Sequence, residues 1–294
     1  MNAVIGGIVL AGMSLVVGIS GAKAQQLSVY PAVELEFATE SFRQYQLQGS
    51  VNLADWLDVG SAFEGTGNKH SEFLSTRANG QRFFRLQFTD RTPGLVAYYP
   101  FNGDGQDASV NANHGILHEA TFTTNRFGFP HAALHLSGVP ESYVQVADSP
   151  SLAVNSAVTL SAWINFAEGG EFHPRILHKQ AYELFTYETN ATRRLAFAAQ
   201  NVGLVVTPTE ILQAGHWTFV AATYDGSRLH LYLDGALAAE TAATGTIPTT
   251  VVELNLGRNA ENTSDNYRGL LDDVRLYNRA LSPAEIQALF ERVD

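Results

Sequence analysis

The stretch from Trp217 to Glu240 leaves the backbone few choices. Residues 217–224 are strand-forming in composition and end on Asp225-Gly226. Residues 228–234 then set Leu229, Leu231 and Leu233 at every second position and end on Asp234-Gly235. Residues two apart share one face of a strand, and Asp-Gly supplies the positive φ that a tight hairpin needs. The segment therefore predicts successive antiparallel hairpins with one apolar face. From Gly94 onward, strand signals recur with Gly, Asn and Asp between them, the pattern of a sandwich or jelly roll.

A helix is predicted only at the end of the chain. Ser282-Pro-Ala-Glu285 is a capping box with proline in the first helical position, and Ile286, Leu289 and Phe290 then fall on one face. The other end differs in kind. Residues 3–20 are apolar and small, and Ala22-Lys-Ala24 has the A-x-A form of a signal-peptidase site. This predicts export with cleavage before Gln25. The competing reading is a retained anchor, because the run approaches the length of a membrane span.

Residues 25–90 alternate as strands do: Val33 to Phe37, the stretch around Tyr45, Leu47 and Gly49, and Arg82 to Phe88. Tyr45-Gln-Leu-Gln48, Trp56 and Arg82-Phe-Phe-Arg85 resemble a small β-module of secreted bacterial multidomain proteins. Trp56 is expected in its core. Residues 89–94 have linker composition.

Composition narrows the function classes. The chain is 45% hydrophobic, enough for a real core, and its net charge of −11 argues against nucleic acid and against basic membrane-surface binding. After signal cleavage no second apolar run remains to hold a membrane. The absence of cysteine removes disulfides, thiol catalysis and lipoprotein acylation. Asn190 and Asn262 begin sequons, which matter only in a glycosylating host.

Catalytic motifs are missing from the pattern. A retaining glycanase needs two carboxylates a few ångströms apart, but Glu183 and Glu188 are an odd number apart and adjacent Asp272 and Asp273 are expected to diverge. His173 and His178 are likewise expected on opposite sides of an extended segment. His131 and His135 lack the glutamate and helix of a zincin. The sequence predicts a non-catalytic protein.

Gly94 to Phe101, Asp104 to Gly115, Ser161 to Asn165, His216 to Gly226, Leu231 to Gly235, Leu256 to Asn259 and Gly269 to Ile286 resemble, in order and spacing, laminin-G-like domains of the concanavalin A-like lectin/glucanase superfamily. The resemblance covers residues 94–294. It implies an all-β fold: a two-sheet antiparallel β-sandwich of concanavalin-like jelly-roll type, preceded by a small β module. The chain then divides into a signal peptide (1–24), a β-rich accessory module (25–90) and the jelly roll (91–294).

The resemblance also implies a structural calcium, with Asp107 and Asp272 meeting at the rim and Asn111 assisting. Parity places Asp272 on the side of Val274 and Leu276, pointing inward. Val110 and Ala112 replace glycines usual in the family, and hydrogen-bonded aspartates without metal remain the competing reading. Trp163 and Trp217 lie in core motifs. Ligand contacts are expected instead from the less patterned segments, at His173, Arg175, Tyr182, Asn266 and Tyr267. The function implied is a secreted (extracellular or periplasmic), non-catalytic recognition protein that binds carbohydrate, its partner being a glycan or, on the alternative, an extracellular protein. Protein adhesion is the first alternative, and a glycoside hydrolase or polysaccharide lyase the second.

Overall fold

A computed structural model describes residues 32–75, 83–169, 173–188, 193–209, 212–259, 261 and 265–292. The predicted signal peptide and both sequon asparagines lie outside the described residues. The chain forms two compact units that part between Thr92 and Pro93.

In the first unit, β1 (Ala32–Ala38) pairs with β5 (Lys69–Ser75). The long strand β2 (Arg43–Ser50) pairs with β3 (Leu57–Asp58), β4 (Phe63–Glu64) and β6 (Phe83–Asp90). Leu35, Leu47 and Leu74 make a small core. Trp56 is not in it: the ring is half-buried at the edge, with the Arg85 guanidinium 4.5 Å from its centre.

The second unit runs β7 (Leu95–Tyr99), β8 (Gly115–His118), β9 (Thr121–Thr123), β10 (Ala133–Ser137), β11 (Tyr143–Val146), β12 (Val158–Phe166) and β13 (Arg175–Lys179). It continues through β14 (Tyr182–Glu188), β15 (Arg193–Ala199), β16 (Gly203–Val206), β17 (Thr218–Tyr224), β18 (Arg228–Leu233) and β19 (Ala236–Ala242). Strands β20 (Leu254–Leu256) and β21 (Arg268–Tyr277) and helix α1 (Pro283–Glu291) complete it. One sheet has the order β19-β18-β17-β12-β21-β10-β9, with β7 also paired to β21. The other has the order β16-β15-β14-β13-β20-β11-β8. Their facing apolar side chains, among them Leu160, Ile164, Leu231 and Val274 from one sheet and Val144, Leu177, Leu184 and Leu256 from the other, form one core. The all-β, two-sheet antiparallel sandwich expected from sequence is the architecture found.

Local chemistry explains the elements. Asp234 and Gly235 adopt φ of 45° and 80°, the two positive values of a two-residue hairpin turn, and join β18 directly to β19. The Asp225-Gly226 turn is one residue longer: Asp225 Oδ1 accepts from the backbone N–H groups of Ser227 and Arg228. Leu229 and Leu231 enter the core as their alternation requires. Ser282 and Glu285 form the reciprocal capping box, and Phe290 stacks on Trp163 at 5.7 Å on the sheet face turned away from the core.

Strand β21 departs from simple alternation. Asp273 sits at φ 50°, and the pairing with β12 steps from Ser161↔Arg275 to Trp163↔Asp272, so β21 carries one extra residue. Leu271, Val274 and Leu276 all face the core, while Asp272 turns outward with Trp163. The inward parity expected for Asp272 is thus reversed by the bulge. Aspartate tolerates the left-handed backbone there.

Candidate functional site

Neighbouring strands of the seven-stranded sheet set single polar residues between apolar ones: Val144-Gln145-Val146 in β11, Leu254-Asn255-Leu256 in β20 and Tyr182-Glu183-Leu184 in β14. The flanking residues belong to the core, so the central ones turn away from it. Antiparallel pairing then lines them up. Gln145 lies opposite Asn255, Asn255 opposite His178, and His178 opposite Glu183. The outcome is a polar row across four strands.

At one end, Glu253 gathers the row. Its Oε2 accepts from Gln145 Nε2, and its Oε1 accepts from Asn255 Nδ2 at 3.1 Å. Arg258 Nη2 lies 3.6 Å from the same Oε1, and its guanidinium sits 3.4 Å above the Tyr143 ring. His118 stacks against Tyr143 at 4.4 Å and meets Gln145 Oε1 at 2.9 Å. Asn255 is fully buried, yet its Oδ1 accepts no hydrogen bond among the described residues. An unsatisfied buried acceptor costs about 1–3 kcal/mol. That cost marks the position.

The other end is organised by Arg175. Its Nε bonds Glu183 Oε2 at 2.6 Å, Nη1 lies 3.7 Å from Asp265 Oδ2, and the guanidinium covers the Phe185 ring at 4.5 Å. His173 packs on Tyr187 at 4.5 Å. Pairing of β13 with β14 skips Ile176, so this bulge brings His173, Arg175 and His178 around one cluster instead of sending the histidines to opposite sides. Burial, with Arg175 nearby, lowers the His178 pKa to about 4. Burial also holds Glu183 above its ordinary value, against the pull of Arg175.

Of the ligand residues expected from sequence, His173 and Arg175 lie in this cluster. Tyr182 and Tyr267 do not: both are buried in the core. Tyr182 Oη donates to Leu152 O at 2.9 Å and Tyr267 Oη to Leu270 O at 3.3 Å, so each phenol is used internally. The alternation of β14 turns Tyr182 inward, and Tyr267, just before β21, joins the same core. Asn266, between Asp265 and Tyr267, is buried as well. Sequence reasoning passed over Gln145, Asn255, Glu253 and Arg258. The signal available was the repeated apolar-polar-apolar triplet, which gains meaning only once the strands are paired.

The expected calcium rim has a different chemistry. Asp107 Oδ1 accepts from the N–H groups of Tyr98 and Ser109, and its Oδ2 from Ser109 Oγ and the Asn113 N–H, each at 2.8 Å. Asn111 Nδ2 donates to Leu95 O and Val96 O. Asp272 Oδ2 meets Arg126 Nη1 at 2.6 Å, and Asp273 Oδ2 meets Nη2 at 2.7 Å. The bulge lets the two adjacent aspartates converge on one guanidinium, where divergence was expected. Burial and the neighbouring Asp273 carboxylate still hold Asp272 above the usual carboxylate range. With Asp107 saturated by donors and Asp272 matched by a fixed cation, these residues do not fit a calcium ligand set. Among the described residues no group of three or more His, Cys, Asp or Glu side chains is placed to hold a metal ion.

Two antiparallel sheets packed on one core, with a short helix against the outer face of one and a polar row on the outer face of the other, form a β-sandwich of jelly-roll type. Residues 137–287, just over half of the chain, match the profile of the concanavalin A-like lectin/glucanases superfamily, and the chain belongs to that superfamily. No curated protein matches it. Among solved structures, the binding domain of Paraclostridial Mosquitocidal Protein 1 superposes with a TM-score of 0.56 at 16% identity, covering 67% of this chain and 52% of that one. Domain 4 of AbnA, a GH43 extracellular arabinanase from Geobacillus stearothermophilus solved in complex with arabinotriose, gives 0.52 at 19% identity, covering 67% and 98%. The receptor binding domain of a botulinum neurotoxin C/D mosaic serotype gives 0.50 at 14%, covering 67% and 51%. The chain thus spans about half the length of the first and third of these. At such identities the likeness is one of fold.

Proposed function

We propose that the second unit is a non-catalytic glycan-binding module and that the outer face of the seven-stranded sheet is its binding surface. The observation that carries this reading is the row Gln145–Asn255–His178–Glu183 on that face, with the partly exposed carboxylates of Glu183 and Glu253 as its acceptors. Sugars present hydroxyl donors to such acceptors. The fold likeness to AbnA domain 4, solved with arabinotriose, supports the ligand class. Binding without cleavage is favoured because Glu183 is tied to Arg175, while Glu253 is held by Gln145, Asn255 and Arg258. A general acid needs a free proton-bearing oxygen at the glycosidic bond.

Affinity electrophoresis against a polysaccharide panel, beside a reducing-end assay, tests the reading. Dissociation constants of roughly micromolar to millimolar are expected, since a partly wet site leaves little surplus over the cost of association. Glu253→Ala removes a charged acceptor and is expected to weaken binding by about tenfold or more. Reducing-end release that survives repurification makes the protein an enzyme instead. Binding of a protein partner with silence on every glycan favours adhesion.

The same reading places the protein outside the cytoplasm, exported by the segment that ends at Ala24. Among the described residues no helix is long and apolar enough to cross a membrane. N-terminal sequencing of the exported protein is expected to start at Gln25; a chain retaining Met1 overturns the cleavage.

A further inference from the structure

Resting on the glycan-binding reading of this face, we infer that its ligand is a neutral glycan with free hydroxyls, and that uronate or sulfate groups are rejected. The face is rich in acceptors. Glu183 and Glu253 are its accessible carboxylates, with 22% and 28% of their side chains exposed, and an ionised carboxylate can only accept. A hydroxyl reaching either carboxylate donates a hydrogen bond. A uronate or sulfate brings only more lone pairs and a like charge.

The cations beside the row are already committed. Arg175 is shared by Glu183 and Asp265. Arg258 lies between Glu253 and the Tyr143 ring. An anionic ligand must take one of these arginines from its carboxylate and leave that carboxylate without its counter-charge, which is how an interface selects against a wrong ligand. The net charge of −11 repels anions at longer range as well. One guanidinium stands apart. Arg194 is opposite Tyr187 in the β14–β15 pair, 5.1 Å from that ring, and has no carboxylate partner among the described residues. The charge of an acidic glycan, were one bound, would be met at Arg194, so Arg194 is the control.

The test compares ligands that share a backbone and differ in charge: fully methyl-esterified against de-esterified homogalacturonan, and dextran against dextran sulfate. Retardation of the full exported chain is measured in gels of each, for wild type, Glu253→Gln and Arg194→Ala, with melting curves confirming that both variants fold. At least tenfold preference for a neutral member is expected, with Glu253→Gln narrowing the gap and Arg194→Ala leaving it unchanged. Tighter binding of a charged member, lost in Arg194→Ala, overturns the neutral-ligand inference while glycan binding stands. Retardation by neither member of either pair, nor by any other glycan of the panel, overturns the glycan reading and this inference together.

Discussion

Arg126→Ala is expected to destabilise the second unit by about 3–5 kcal/mol, because it leaves the buried Asp272 carboxylate without its ion-pair partner, while Asp273 keeps Arg275 at 3.2 Å. Both partners are desolvated: side-chain exposure is 6% for Arg126, 3% for Asp272 and 4% for Asp273. The guanidinium also lies 4.5 Å over Trp163, whose packing against Phe219 and Phe290 holds the helix side of the sheet. For a unit of this size the loss corresponds to roughly 10 °C in melting temperature. Adding Asp272→Asn to Arg126→Ala should recover part of it, since the uncompensated charge is then gone while Asp273 keeps its pair with Arg275. Wild-type melting curves in EGTA and in calcium are expected to superimpose. A loss below about 1 kcal/mol in Arg126→Ala, or a calcium-restored drop in EGTA, would return the rim to metal.

Acid should act on the unit through His178. Its folded pKa is depressed to about 4 from an ordinary value of 6.5, so the unfolded chain takes up this proton at a higher pH than the folded one. The contribution is fully present above pH 6.5 and is lost as the pH falls towards 4. It amounts to about 3 kcal/mol at 1.36 kcal/mol per pH unit. The groups facing the ring are Arg175 and Asp265, with Glu183 Oε2 at 3.9 Å from Nε2. Glu183, raised in the folded state, works in the opposite direction as it protonates. The difference between wild type and His178→Gln isolates the histidine: urea midpoints at pH 7 and pH 4.5 should converge more in the variant. Equal pH dependence of the two proteins rules the histidine out.

What the sequence disclosed was whatever is written within a few consecutive residues. The Asp234-Gly235 turn, the Ser282–Glu285 cap and the leucine alternation of β18 depend on local sterics and local hydrogen bonds. Two bulges escaped it. One at Ile176 gathers His173, Arg175 and His178; the other at Asp273 turns Asp272 away from the core. A bulge shifts parity for every residue beyond it, and nothing in Leu271-Asp-Asp-Val274 announces which aspartate takes the extra place. Tyr182 and Tyr267 were misplaced for a related reason. An aromatic residue in a poorly patterned segment has no partner strand in view, and its face is decided by pairing. The polar row failed the same test, since Gln145, Asn255 and His178 come from three separate stretches.

The three residues of β20 also constrain how the molecule is made. They separate β11 from β13, and the contact from Gln145 to Glu253 spans 108 positions of chain. Strands β8 and β11 can pair with each other as soon as both have been synthesised, and β13 to β16 can do the same. The two groups cannot join into one sheet until Leu254–Leu256 has been translated and inserted between them. Loop-closure entropy makes such long-range insertion slow. Until then β11 and β13 each present a bare edge, a template for pairing with another chain. On the proposed reading, ligand capture by the finished face therefore reports that the seven-stranded sheet has assembled, and truncation before Leu254 is expected to yield two half-sheets with open edges and no row.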